Sequence, residues 1–210
     1  MTSRPDAPLV FAITGASGAP YAVRLLEQLV ASRTRISLIV SRHGWRLLET
    51  ESDIADLPAL RKAVGGDAAA WDSSVTVFDD DDRGAAPASG SALSRGMVIC
   101  PCSMGTLSAV AMGSSRSLIE RAADVTLKER RKLVLVTRET PLSTIHLGNM
   151  LRVAGAGAVV MPAAPGFYHR PREVGDLVDF VVARVLDQLE IQHQLGKRWS
   201  GGMAEAPADR

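Results

Sequence analysis

Long apolar runs are missing from this chain: stretches such as Leu133–Val136 and Gly157–Met161 fall far short of the roughly 20 residues needed to cross a bilayer. An excess of one charge is missing too. The 24 Lys and Arg stand against 23 Asp and Glu, a net +1, so no long-range field favours nucleic acid or an anionic membrane as a partner. Cysteine is scarce. The two present, Cys100 and Cys102, flank a single proline, a spacing that is neither a zinc knuckle nor a disulfide framework, and both read as buried, reduced thiols. Met1 to Pro8 show no basic stretch followed by an apolar one and a small-residue cleavage site, which makes the cytoplasm the expected location. Neither an internal repeat nor a second apolar core is visible, and an apolar fraction of 46% is too high for a disordered chain, so one globular domain is expected.

What is present is alternation. Short β-rich runs at Leu9–Thr14, Ile36–Val40, Val75–Phe78, Met97–Pro101, Leu133–Thr137 and Ala158–Met161 are separated by segments of helical period. That pattern predicts a parallel sheet covered by helices on both faces, a three-layer α/β/α domain. The last four runs are almost continuously apolar, as in strands buried on both sides. Ala22, Leu25, Leu26 and Leu29 mark one helix; Val174, Leu177, Val178, Val181, Val182, Val185 and Leu189 mark another. The stretch from Gly65 to Gly96 is rich in Ala, Gly, Ser and Asp and reads as exposed loop around the third strand. Its four successive aspartates, Asp79 to Asp82, read as solvated, because adjacent carboxylates do not converge on one metal ion. From Gly196 to Arg210 the tail reads as frayed, with Trp199 a candidate contact for a neighbour.

In open α/β sheets ligands bind beyond the carboxyl ends of the strands, so the residues just after each strand are the informative ones. After the first comes Thr14-Gly15-Ala16-Ser17-Gly18-Ala19-Pro20, a small-residue turn opening a helix, which either serves packing or brings backbone N–H groups up to an anion. Ser17 stands where a dinucleotide fingerprint needs glycine, and the second strand ends in Val40-Ser41 with no ribose-binding acid, so NAD is disfavoured. The turn also approaches the nucleophile-elbow pattern, with Ala19 in place of its last glycine; His146 or His169 would have to act as base, and nothing places an acid partner. After the fourth strand, Ser103-Met104-Gly105-Thr106 enters another helix, where a hydroxyl caps the helix or holds a ligand. Arg121, Val125 and Lys128 share a helix face that reads by itself as solvated. Arg138 and Glu139 follow the fifth strand, as a surface ion pair or as an anion-binding group beside a proton carrier. Gly166-Phe167-Tyr168-His169 follows the sixth, and Arg184 lies at the edge of the last helix's apolar stripe.

Taken together, these segments closely resemble the UbiX/Pad1 family of flavin prenyltransferases. The resemblance rests on Thr14-Gly15-Ala16-Ser17-Gly18, Pro87-Ala88-Ser89-Gly90-Ser91, Cys100-Pro101-Cys102-Ser103, Leu118 to Val125, Leu127 to Arg131, Arg138-Glu139-Thr140-Pro141 and Gly166 to His169, in family order over residues 8–190. It implies a flavodoxin-like (Rossmann-like) parallel sheet in a domain at 8–190, a C-terminal tail at 191–210, and attachment of a dimethylallyl group from dimethylallyl monophosphate to N5 and C6 of reduced FMN. It implies no metal, a homododecamer with active sites between subunits, and a UbiD-type decarboxylase as recipient of the prenylated FMN. By resemblance, Gly15, Ala16, Ser17, Ser41, Ser103, Met104, Gly105, Thr106 and Arg138 contact the flavin. Lys128, Arg138, Glu139, Tyr168 and Arg184 surround the dimethylallyl phosphate, with Lys128 aiding departure of the phosphate, and Glu139 and Ser17 candidates for proton traffic. Flavin-dependent cysteine decarboxylases share the fold, but expect Pro-Ala-Ser-Ala-Asn-Thr at 87–92 and a mid-chain histidine; none lies between His43 and His146. A carrier that holds FMN without chemistry is the other alternative.

Overall fold

Side-chain alternation along the first strand sets the layers. In the computed structural model, which describes residues 6–66 and 68–196, β1 (Leu9–Ile13) sends Leu9, Phe11 and Ile13 into one core and Val10 and Ala12 into another. Each core needs its own cover. Helices α1 (Ala19–Ala31) and α8 (Val174–Gln188) close the first with Leu25, Leu29, Val181 and Val185; α5 (Met104–Ala111), α6 (Leu118–Lys128) and α7 (Thr144–Gly155) close the second with Leu107, Ile119 and Val153. The remaining strands are β2 (Ile36–Val40), β3 (Val75–Phe78), β4 (Gly96–Cys102), β5 (Lys132–Thr137) and β6 (Val159–Pro162). All pairings are parallel, in the order β3-β2-β1-β4-β5-β6. This is the expected three-layer, flavodoxin-like α/β arrangement, and its topological switch point falls between β1 and β4.

Three local expectations are corrected. The apolar runs in β3 and β6 belong to edge strands and are only partly covered, because an apolar run does not reveal where connectivity places its strand. The segment from Gly65 to Gly96 is not simply exposed loop: it holds α4 (Ala68–Ser74) with Trp71 buried, and a single 3-10 turn at Ala86–Ala88 that packs Ala88 on the second core. In the aspartate run Asp79, Asp81 and Asp82 are exposed, as expected, while Asp80 is partly covered. Asp80 accepts the N–H groups of Leu118 (2.7 Å, on its carbonyl) and Ile119 (2.9 Å, on its carboxylate), tying it to the start of α6.

Two further helices, α2 (Arg42–Ser52) and α3 (Leu57–Val64), follow β2. Ser41 and Asp56 cap them by accepting from Gly44 and Ala59 N–H. Cys100 and Cys102 are free and buried, and burial pushes the Cys102 thiol up to about 12, which leaves it unreactive at neutral pH. Beyond α8 the chain stays on the core through buried Ile191 and partly buried Leu195; Trp199 lies outside the described residues. No described helix is long and apolar enough to cross a membrane.

Candidate active site

The crevice at the switch point is stitched together by one hydroxyl. Thr14 Oγ1 donates to the Pro101 carbonyl (2.8 Å) and accepts from Ser103 N–H (2.9 Å), so the turn after β1 and the loop after β4 are held at a fixed spacing. Ser103 then caps α5, accepting from Thr106 N–H at 3.2 Å, with the two hydroxyls 3.0 Å apart. Gly105 is exposed beside them. Met104 is 8% exposed, its side chain in the second core, so what it can offer a ligand is its backbone N–H at the helix start.

On the other wall, Ala16 is buried and Ser17 exposed. Gly15 is required by a close approach: a Cβ there would lie well under 3.0 Å from the His43 Cβ in the first turn of α2. Ser41, at the mouth of the same crevice, donates its N–H to the Ile13 carbonyl (3.0 Å). Arg138 leaves the end of β5 and donates from Nε to the Ser17 carbonyl (3.1 Å), so it is a wall of this crevice and not half of a surface pair with Glu139. Glu139 is exposed and accepts from Thr140 N–H (3.1 Å). Backbone N–H groups at a helix start, the hydroxyls of Ser17, Ser41, Ser103 and Thr106, and the Arg138 guanidinium make a donor set suited to a flavin mononucleotide.

The remaining predicted residues are not in this crevice. Lys128 ends α6, near the start of β5, paired with Glu129 beside the Gly90 segment. Because β5 intervenes, Lys128 and Arg138 of one chain are separated by roughly 16 Å or more. Tyr168 and Arg184 line a separate cavity of about 540 Å³ along α8, on the sheet face opposite α6. There Tyr168 meets Phe180 edge-on (centroids 5.7 Å) while His169 stacks on it (5.2 Å), and neither ring nitrogen of His169 finds a partner among the described residues. Arg121 is no solvated side chain: it donates to the Ala88 carbonyl (3.2 Å) and Asp124 (2.7 Å), and Val125 beside it is buried. Among the described residues, no three His, Cys, Asp or Glu side chains converge as a metal site would require.

A family model described as "Flavoprotein" matches residues 2–186. The flavin prenyltransferase UbiX of Pseudomonas aeruginosa is 52% identical over 197 residues, covering 91% of this chain and 93% of the relative. The chain belongs to the UbiX flavin prenyltransferase family. Among solved structures of the family, AnUbiX (PadA1) in complex with FMN and dimethylallyl pyrophosphate superposes with a TM-score of 0.83 at 38% identity, covering 93% of this chain and 98% of that one. A dodecameric FMN-dependent Ubix-like decarboxylase from Escherichia coli O157:H7 also gives 0.83, at 40% identity, covering 92% and 100%.

One residue of this family member's crevice carries no sequence signal. Glu51, near the end of α2, accepts the N–H groups of both Gly18 and Ala19 at 2.8 Å, and so sits at the start of α1. Desolvation pushes its carboxyl up, but the bonds from Gly18, Ala19 and the Ser17 hydroxyl, with the nearby Arg138 charge, outweigh that and hold it below the usual carboxylate range. Only the return of α2 against the turn reveals it; in sequence it is an ordinary helix glutamate.

A carboxyl lowered in this way contributes stability that is fully present above its unfolded pKa and is lost as pH falls through the folded one. Glu51→Gln is therefore expected to cost about 1 kcal/mol at pH 7, allowing for solvent screening, with the two proteins converging below about pH 4. Urea unfolding at a series of pH values checks this; a gap that persists undiminished at about pH 3 contradicts it.

Proposed function

We propose that this protein transfers a dimethylallyl group from dimethylallyl monophosphate to reduced FMN and supplies the prenylated flavin to a UbiD-type decarboxylase, acting in the cytoplasm as a homododecamer built from the 8–190 domain. The observation that carries this reading is the division of its residue set. One chain gathers the turn after β1, the loop after β4 and Arg138 at one crevice, yet Lys128 and the Tyr168–Arg184 pair stand on opposite faces of its sheet, where no single small ligand meets both. Assembly from several copies resolves the division, and a dodecameric relative of the same fold supports it.

Reduced FMN, when bound, supplies two nucleophilic positions, N5 and C6. The chain's part is to hold the flavin at the Gly15–Ser17 turn, Ser41, Ser103–Thr106 and Arg138, and to gather the charge of the departing phosphate on Lys128, Arg138, Tyr168 and Arg184. Cationic donors fixed before the C–O bond breaks lower the barrier without reorganising. Joining N5 to the allyl carbon would break the donor C–O bond and release phosphate, and closing the ring at C6 would add a proton to the prenyl double bond as one leaves C6; Glu139 and the Ser17 hydroxyl, backed by Glu51, form the route for these protons.

Coexpression of two impaired variants tests the shared site. Lys128→Ala and Arg184→Ala chains, each strongly impaired alone, are expected to form mixed oligomers with about a quarter of wild-type prenyl transfer, since random mixing leaves that share of sites with both residues intact. Activity no higher than either variant alone would place both residues in one chain's site and overturn the reading.

A further inference from the structure

The last turn of α8 and the segment after it hold a relay of which the proposed roles use only Arg184. Arg184 donates from one terminal nitrogen to Asp187 Oδ2 at 2.7 Å, and the other carboxylate oxygen, Oδ1, lies 3.2 Å from His193 Nε2. His193 Nδ1 accepts the backbone N–H of Leu195 at 3.2 Å. With its lone pair so occupied, a neutral ring carries its proton on Nε2 and donates it to Asp187. Exposure falls steeply along the relay, with side chains at 55% for Arg184, 20% for Asp187 and 4% for His193.

An exposed Arg–Asp pair three residues apart on a helix holds neither side chain in one rotamer for long. A carboxylate whose second oxygen is tied to a nearly buried imidazole behaves differently. The imidazole is itself anchored, because the segment carrying it is pinned by buried Ile191 and by Arg95, which donates to the Leu189 carbonyl (3.2 Å). Arg184, Asp187, His193 and Tyr168 all line the same cavity.

We propose that Asp187 and His193 are positioning residues that fix the Arg184 guanidinium for the dimethylallyl phosphate. This rests on the reading that Arg184 binds that phosphate. An arginine already held in its binding rotamer loses less freedom when the phosphate arrives, so releasing it weakens donor binding while the chemical step, once the donor is bound, is unchanged.

The test compares His193→Leu, Asp187→Asn and His193→Gln in the full-length protein, measuring KM for dimethylallyl monophosphate, kcat, the FMN dissociation constant and the melting temperature. Loss of the relay in the Leu and Asn variants is expected to raise donor KM roughly two- to tenfold, with kcat and FMN affinity as in wild type. The glutamine amide can still donate to Asp187 Oδ1, so His193→Gln should stay within about twofold. Donor KM unchanged in both Leu and Asn variants, while Arg184→Ala raises it, would overturn the relay alone. A Gln variant as impaired as Leu, with FMN affinity and melting temperature falling together, would assign His193 to packing. If Arg184→Ala itself left donor KM unchanged, the phosphate role of Arg184 would fail, and the relay with it.

Discussion

Alanine at position 184 is expected to lower kcat/KM for dimethylallyl monophosphate by about a hundredfold or more while the FMN dissociation constant stays within about twofold. The asymmetry follows from position. Arg184 lies on α8 in a cavity lined by none of the residues proposed to hold the flavin, Gly15, Ser17, Ser103 and Arg138 among them. A charge-assisted bond to phosphate is worth about 1.5–3 kcal/mol, and more as charge develops on the leaving group, which corresponds to ten- to a few hundredfold in rate. Tyr168→Phe should move in the same direction by a smaller factor, since a neutral hydroxyl contributes about half as much. Flavin fluorescence quenching and steady-state kinetics separate the two readouts. Equal loss of flavin affinity and turnover would merge the two subsites.

Gly15→Ala is expected to act on the opposite half of the site, abolishing tight FMN binding and lowering stability by about 1–3 kcal/mol. The added Cβ meets not the tip of a flexible side chain but the His43 Cβ, with the His43 Cα and carbonyl carbon both at 3.5 Å. His43 has little room to retreat. Its neighbour Gly44 is buried so close to the Ile13 carbonyl that it tolerates no Cβ either, and Ser41 caps the helix to which both belong. Relief must therefore come from the turn, which shifts the N–H groups of Gly15 to Ser17 by several tenths of an ångström and breaks their alignment with the ligand. Urea midpoints and FMN titration measure the two effects; a Gly15→Ala protein with wild-type values in both would show that this turn is free to move and does not hold the flavin.

How legible each part was in the sequence depends on whether its cause is local. Strands such as Leu133–Thr137 announce themselves because burial on both faces demands an unbroken apolar run, and the last helix because one face must be apolar at every turn. The edge positions of β3 and β6 depend on the order of strands, which no window of residues encodes. Helix α2 escaped notice because its sequence, Arg-His-Gly-Trp-Arg-Leu-Leu-Glu-Thr-Glu-Ser, buries only Gly44 and Leu48 and carries a glycine in its first turn. With it went Glu51, whose meaning comes entirely from the approach of α2 to the turn after β1. Met104 sits in the expected loop, but the phase of α5 turns its side chain into the core. Resemblance supplied the names Lys128, Tyr168 and Arg184, whereas their dispersal over two faces of one chain is visible only in three dimensions. On the proposed reading, that dispersal is what calls for a site built by several copies of the chain.

The most direct measurement is anaerobic incubation of the purified protein with reduced FMN and dimethylallyl monophosphate, following flavin mass and released phosphate together. Prenyl transfer predicts flavin heavier by one dimethylallyl unit and one phosphate released for each flavin modified. Tight FMN binding with neither product would contradict it, and would leave this chain a flavin carrier or a decarboxylase.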